Sequence, residues 1–181
     1  GVFGDLQLNC KNWWFINFTG RNDWSSTLPE QNRRFFYPSV GTGIVFTDLF
    51  QTDSKILNYA KLRATYAQVG KDAPPHKLST SLVTDNSIVL GGEFGYGYYS
   101  NNAALRPEFT NSTEIGGEFQ FLNKRVGLDV TWYKIESKDQ ITQPRVSQGT
   151  GFIFKLVNGG TIENKGFEVA LKAIPVRNNR F

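Results

Sequence analysis

The sequence predicts an all-β protein, part of an antiparallel, up-and-down β-barrel that spans a membrane. Segments in which apolar and polar residues alternate with a period of two recur along the chain, as in strands with two unlike faces. The connections between these segments alternate between short and long. The chain also contains 15 Phe, 7 Tyr, 4 Trp and 18 Gly, a composition typical of strands and turns.

The first four predicted strands lie in the first 66 residues. Residues 5–10 alternate up to a tight turn at Lys11 and Asn12, and residues 14–18 continue the pattern on the next strand. Residues 39–46 and 61–66 supply the third and fourth strands. Each segment places apolar side chains on one face and polar or small ones on the other.

The clearest strands lie in the second half of the chain. Residues 112–121 and 125–136 alternate without a break, and only residues 122–124 separate them, which predicts a hairpin. A seventh strand follows at residues 166–173. The count is therefore seven strands, and no segment between them predicts a helix.

The lengths of the connections predict the topology. Residues 11–12 and 122–124 are tight turns and 47–58 is intermediate, whereas 25–34, 71–111 and 137–164 are long. In an up-and-down barrel every second connection lies at the same end. Short turns at one end and long loops at the other are typical of bacterial outer-membrane barrels, and a compact soluble domain seldom has loops this long.

Two sets of side chains are assigned to the barrel wall. Aromatic residues near the short turns are predicted at the membrane interface: Trp13, Trp14, Phe119 and Phe121. General aromatic enrichment of strands is the alternative explanation. Charged residues on the polar strand face are predicted to face the lumen: Lys61, Arg63, Glu114, Glu118 and Asp129. A dry core would require a partner for each of them.

Composition excludes several classes of protein. The net charge of +4 comes from scattered basic residues. The two clusters of basic residues, Arg33-Arg34 and residues 177–180, lie in predicted connections, so no nucleic-acid partner is expected. One Cys and one His exclude an internal disulfide and a cysteine or paired-histidine metal site, and no cofactor is expected. The absence of Met suggests that the natural start lies elsewhere.

Several short segments of the sequence resemble motifs of the SusC/RagA-type TonB-dependent receptors of Bacteroidetes outer membranes. FYPSV at 36–40 is similar to the family's YFPS strand start, and LRATYAQVG at 62–70 to its LR-S-Y-G-GN strand. The other matches are LRPE at 105–108 with STEIG at 112–116, DVTWY at 129–133 with KDQI at 138–141, and NGG at 158–160 with IENKGFE at 162–168. Val69-Gly70-Lys71 departs from the family's usual small residue followed by Gly-Asn.

The resemblance implies a barrel of 22 strands with an N-terminal plug and a TonB box. Residues 1–181 would then be a piece of the barrel domain, about a third of it, with the remainder of the barrel, the plug and the TonB box outside the chain. It also implies an outer-membrane location in contact with lipid, coupling to TonB, and a SusD-like surface lipoprotein as a lid partner.

No catalytic site is predicted. His76 lies in a proline-stiffened loop, and Glu114 and Glu118 share a strand face that suits the lumen better than acid-base chemistry. Residues 91–99 do not have the spacing of a phosphate loop and predict a flexible aromatic loop. The ligand candidates there are Tyr96, Tyr98, Tyr99, Asn101 and Asn102, with loop packing or lid contact as an equal alternative.

The expected function is TonB-dependent import of a glycan or peptide nutrient, without bond making or breaking. A passive porin or structural outer-membrane barrel is the first alternative, and a plug domain in the full-length gene would decide against it. A soluble β-sheet glycan-binding module is the second, and it predicts that the 181-residue piece folds alone in detergent-free buffer.

Overall fold

The computed structural model describes residues 1–52, 54–85 and 93–175. Its main element is a sheet of seven long strands, which confirms the predicted number. We number them in chain order as β1 Val2–Cys10, β2 Trp14–Trp24, β3 Arg34–Val45, β4 Leu57–Lys71, β5 Glu108–Phe121, β6 Val126–Lys138 and β7 Thr161–Ala173.

The strands pair in the order in which they occur in the chain, and each pair is antiparallel. This is the up-and-down topology that the sequence predicts. The register has one irregularity, between Leu57 and Tyr59 on β4. Within the described residues, β1 and β7 each have a long-strand neighbour on one side only.

The connections alternate between the two ends of the sheet as predicted, but their lengths overlap: residues 46–56 (11 residues), at the end with the tight turns, outnumber residues 25–33 (9 residues) at the other end. Residues 11–13, 46–56 and 122–125 join strands at one end of the sheet, which we call the short-turn end. The strand ends that flank residues 25–33, 72–107 and 139–160 lie at the other end, the long-loop end. Backbone in the left-handed region closes both tight turns, at Lys11 and Asn12 and at Leu122, Asn123 and Lys124.

The strands differ from the predicted segments at their ends. Phe46, predicted as the last residue of the third strand, instead begins a single-turn helix, Phe46–Leu49, and its ring stacks on Phe50. At the long-loop end β3 and β4 extend beyond the predicted bounds by five residues each, and β5 extends by four. Short paired segments occur inside the long loops, among them Leu82–Asp85 with Glu93–Tyr96.

The sheet has two unlike faces. The apolar face presents Leu, Ile, Val, Phe and Trp side chains, including Leu62 on β4, Ile115 on β5 and Phe167 on β7, all of them exposed. The polar face presents the residues between them, among them Arg63, Glu118 and Asp129. Strand periodicity alone produces this segregation.

The short-turn end is staggered across the sheet. The row of paired residues that ends β1 and β2, Cys10 with Trp14, continues through Ile44 and Leu62 to Gly117 on β5. On β5 and β6, however, the pairing continues to Phe121 with Val126, four residues farther along β5 (121 minus 117). The two hairpins are four strand positions apart, from β1 to β5, so the offset is about one residue per strand, the stagger that tilted barrel strands require.

The buried apolar core is small and lies at the long-loop end. It consists of residues from the loops and the adjoining part of β3, and its buried members are Leu28, Phe35, Ala73, Leu105 and Leu156. The other sheets in the described part of the chain are two-stranded pieces. The seven-stranded sheet is therefore a wall with two open faces and a packed cap of loops at one end.

Candidate functional site

The centre of the polar face is an ion pair that spans three strands. The Arg63 guanidinium on β4 donates two hydrogen bonds to Asp129 on β6, each 2.8 Å long, and a third of 2.6 Å to the Thr131 hydroxyl. This bidentate geometry is characteristic of strong hydrogen bonds between charged groups. Both charged side chains are more than a third exposed, so surrounding solvent weakens the attraction.

Glycines make room for these long side chains. Gly116 on β5 lies between Arg63 and Asp129, and a Cβ atom there would be 2.9 Å from the Arg63 Nε. Gly43 on β3 has the same relation to Lys61, since a Cβ would be 3.1 Å from its Cε. The Lys61 ammonium then lies 5.9 Å from the centre of the Phe15 ring on β2. Two neighbouring cations on β4 thus extend in opposite directions, each across a glycine.

The two glutamates lie on the same face as these cations. Glu118 pairs in register with Lys61 and Asp129, and Glu114 pairs with Thr65. Gln120 donates to Glu118 at 3.1 Å, while Glu114 is exposed. The five charged residues predicted for the lumen therefore lie on one face of the sheet. Their exposure to a water-filled lumen stays a prediction.

The loops at the long-loop end are tied together by hydrogen bonds. Asn158, in the loop of residues 139–160, donates to the carbonyls of Arg106 and Asp139, at 2.8 and 2.9 Å, and accepts from the Arg106 amide at 2.8 Å. The Arg106 guanidinium also contacts Asp139 at 2.7 Å. Asn32 in the first loop donates to the Leu105 carbonyl at 2.8 Å. The three long loops thus form one connected cap.

Three of the five predicted ligand residues are held by contacts within the loops, and the other two have largely exposed rings. The asparagines hold the loop: Asn101 donates to the carbonyls of His76 and Ser79, and the side chain of Asn102 accepts from the Ala104 amide. Tyr99 stacks on Phe154 with ring centres 5.2 Å apart. Tyr96 and Tyr98 are 64% and 69% exposed, so their rings are open to a ligand. Ligand contact by any of the five stays a prediction.

Some of the sequence-based candidates fall outside the described residues. Residues 86–92, which include the start of the predicted aromatic loop, are among them, and so are residues 177–180 of the second arginine-rich spot.

The predicted interface aromatics lie beside the short turns. Trp13 stacks on Trp14 with ring centres 6.1 Å apart, and Phe119 stacks on Phe121 at 6.4 Å. The Trp14 indole also donates to the Thr42 hydroxyl at 3.0 Å. Aromatic rings with such polar contacts are typical of the boundary between hydrocarbon and water. Their role at a membrane interface stays a prediction.

A charged cluster on the apolar face was missed by the sequence analysis. Beyond Trp132 and Phe167, β6 and β7 carry charged residues at the same alternate positions: Lys134, Glu136, Lys138, Glu163 and Lys165. The sequence contains the pattern that identifies this cluster, because the charged residues 134, 136 and 138 follow the apolar residues 126, 128, 130 and 132 at alternate positions. On β2 and β3 the long-loop end of the same face has Arg34 placed 5.9 Å from the centre of the Trp24 ring.

A metal-ligand cluster and a membrane-spanning helix are both absent from the described residues. There, no three His, Cys, Asp or Glu side chains are grouped so that they could hold a metal ion. Among the described helices, none is both long enough and apolar enough to cross a membrane.

Comparisons with known sequences place the chain among receptors. A family model described as "TonB dependent receptor-like, beta-barrel" matches residues 1–174. TonB-dependent receptor P26 of Formosa agariphila is 30% identical over 183 residues, which cover 99% of this chain and 18% of that protein. TonB-dependent receptor SusC of Bacteroides thetaiotaomicron is 28% identical, covering 96% of this chain and 18% of that protein. The chain thus spans about a fifth of the length of these curated relatives.

Comparisons with solved structures support the fold. The RagAB peptide importer in its closed-closed state matches with a TM-score of 0.87 and 22% identity, covering 98% of this chain and 20% of the other. The siderophore receptor PirA from Pseudomonas aeruginosa matches with a TM-score of 0.62 and 18% identity, covering 92% of this chain and 29% of the other. At these identities the likeness concerns the fold alone.

Proposed function

Because this chain belongs to the TonB-dependent receptor-like β-barrel family, we propose that it is a section of barrel wall in a receptor that imports a nutrient across the outer membrane. In this proposal the apolar face contacts lipid, the polar face lines the lumen, and the long-loop end faces the outside of the cell. The rest of the barrel, a plug and the TonB box belong to the remainder of the receptor.

The observation that carries the proposal is the pair of unlike open faces. Phe167, Val169 and Leu171 on the apolar face are 67–74% exposed, and the small buried core lies among the loops. Exposed apolar side chains of this density are unfavourable in water, whereas hydrocarbon is a suitable solvent for them. The other face is charged and hydrogen-bonded, which suits a wet lumen.

The imported ligand is proposed to be a glycan or a peptide. The peptide alternative is supported by the structural neighbour RagAB, which is described as a peptide importer. The glycan alternative is suggested by the resemblance to SusC-type receptors. Exposed Tyr96 and Tyr98, on loops held by a connected cap, offer aromatic faces to either kind of ligand. By the same relatives, we propose a SusD-like surface lipoprotein as the partner above the loops, and TonB as the energy source.

Uptake by cells that carry the full-length gene tests this function. Wild-type and gene-deletion cells are supplied with defined pools of oligosaccharides and peptides, and mass spectrometry measures what disappears from the medium. We expect the deletion to abolish depletion of one class, and a protonophore to abolish it in wild-type cells. Uptake that continues in the presence of the protonophore would instead indicate a passive porin.

The tyrosines can be tested in the same assay. Tyr96→Ala combined with Tyr98→Ala removes two exposed rings, and aromatic stacking contributes about 1 kcal/mol for each ring at such sites. We expect the ligand concentration for half-maximal uptake to rise about tenfold or more. Tyr66→Ala, which removes an exposed ring from the apolar face of β4, is the matched control. Equal effects of the two changes would exclude a ligand-binding role for Tyr96 and Tyr98.

A further inference from the structure

The charged cluster on the apolar face carries more positive than negative charge. Lys134 and Lys165 both contact the Glu163 carboxylate, at 2.9 and 3.3 Å, so one carboxylate forms ion pairs with two ammonium groups. Lys138 contacts Glu136 at 3.1 Å. Three lysines thus share two glutamates, and Lys165 is 69% exposed. The cluster can accept a further anion.

Its position relative to the apolar band is well defined. Trp132 pairs with Phe167, and the next pair on the same face toward the long-loop end is Lys134 with Lys165. The two rows are separated by two residues along the strand, or about 7 Å at the rise of a β-strand. Lysine side chains can bend away from hydrocarbon and place the ammonium still higher.

The neighbouring strands continue this border with polar groups. In the row of Lys134 and Lys165, β4 and β5 carry Tyr66 and Thr113. One row higher, Gln68 donates to Asn111 at 2.9 Å. Across β4 to β7 the two rows above the apolar side chains therefore carry hydrogen-bonding and charged groups, as expected where acyl chains end and headgroups begin. Phe109, which pairs with Lys138 in the following row, packs against the buried core of the loops.

From this arrangement we infer that Lys134, Lys138 and Lys165 form a binding site for a phosphate-bearing lipid headgroup of the outer leaflet. The surplus ammonium charge faces the layer in which the phosphates lie, and the rings of Trp132 and Phe167 contact the acyl chains directly below. The inference rests on the proposed placement of the wall in an outer membrane with its long-loop end outward.

The test uses the full-length receptor in detergent and native mass spectrometry to count bound lipid. The probes are phosphorylated lipid A and the same lipid without phosphate. We expect the wild type to retain the phosphorylated form preferentially. The triple variant Lys134→Gln, Lys138→Gln, Lys165→Gln should bind it roughly tenfold more weakly or worse, given the usual contribution of lysines near an anionic surface.

Two single variants on β7 provide a matched comparison. Lys165→Gln should weaken binding of the phosphorylated lipid, whereas Lys172→Gln, on the polar face of the same strand, should leave it unchanged. Lys165→Arg keeps the charge and should bind as the wild type does. Heat-modifiable migration on gels, which folded barrels show, confirms that each variant is folded.

Several outcomes would overturn the inference. The first is equal binding of both lipid forms by the wild type, and the second is undiminished binding of the phosphorylated lipid by the triple variant. The third is a dimer of the wild-type receptor in the mass spectrum that the triple variant loses while its lipid binding is unchanged. That third outcome would identify a second copy of the chain as the occupant of the cluster. Because nutrient uptake is measured separately and should survive all of these substitutions, failure of the transport proposal would be distinguishable.

Discussion

At the scale of single residues, the absence of a side chain is as important on this wall as its presence. Gly116 allows Arg63 to cross β5 and reach Asp129, and Gly43 gives Lys61 its path toward Phe15. On the apolar face, the Phe36 ring covers Gly20, where a Cβ would be 2.9 Å from it. Each glycine exposes strand backbone that a long neighbouring side chain then covers.

Gly116→Ala tests this relation. The added methyl should displace the Arg63 guanidinium and cost about 1 kcal/mol, the upper end for a partly exposed ion pair. Urea unfolding of the full-length receptor in lipid vesicles measures the cost. In an Arg63→Ala background the same change should cost little, because the side chain that it displaces is already absent.

Gly41→Ala is the control for this experiment. A Cβ at Gly41 would be 3.4 Å from the Thr65 methyl group, an ordinary contact. A penalty for Gly116→Ala that persists in the Arg63→Ala background would show that strand geometry, and not the ion pair, requires glycine at position 116.

At the scale of elements, the long loops are organised by a few polar side chains around a small apolar cluster. Asn158 makes two hydrogen bonds to Arg106 in the neighbouring loop and a third to Asp139 in its own loop. Leu105 and Leu156 from these two loops are both buried. Loops that carry a binding surface need such support, since ligand contact is effective only where the contacting groups are held in place.

Asn158→Ala should loosen this cap without unfolding the wall. The three lost hydrogen bonds should lower local stability by about 1 to 2 kcal/mol, with amide exchange roughly ten times faster in residues 139–160. Hydrogen exchange followed by mass spectrometry on the full-length receptor measures this. Asn164→Ala, on the polar face of β7, should leave loop exchange unchanged. Equal protection of the loops in the Asn158→Ala variant would contradict the assigned role.

The strands were predictable from the sequence, and the cap was not. Alternation from 112 to 121 and from 126 to 136 follows from local residue order, and so does the tight turn between them. The bonds of Asn158 and Asn101 join residues 19 to 52 positions apart. No local pattern encodes such pairs, and Asn101, taken from the sequence alone, was predicted to bind a ligand.

The charged cluster was missed for a different reason. Lys134, Glu136 and Lys138 follow the alternation of β6 faithfully, and a period of two says which residues share a face but not where the membrane ends along it. Register across β4 to β7 locates that border, because it aligns Tyr66, Thr113, Lys134 and Lys165 in one row.

At the scale of the whole molecule, the wall depends on its surroundings. Interstrand hydrogen bonds hold the seven strands together, yet the apolar face has no second layer within the described residues. In hydrocarbon, paired strands satisfy their backbone groups and the apolar side chains are well solvated. In water the same sheet exposes apolar surface and two strand edges, both of which favour aggregation.

The isolated 181-residue polypeptide should therefore not fold alone in detergent-free buffer. We expect sedimentation to show aggregates and circular dichroism to show no cooperative melt. The full-length receptor in detergent serves as the folded reference. A monomeric species with a cooperative thermal transition would contradict the assignment of the sheet as a membrane wall and favour a soluble module.

The stagger of about one residue per strand also bears on how such walls can change in size. Strand inclination in a closed barrel depends on the ratio of total stagger to strand number, and at this ratio it is about 35–45°. From the β1–β2 hairpin to the β5–β6 hairpin the stagger adds up to four residues, an average of two per hairpin. The duplication or loss of a hairpin during evolution could consequently change the circumference of the barrel only. The inclination of the neighbouring strands would stay the same, and so would the membrane thickness that they match.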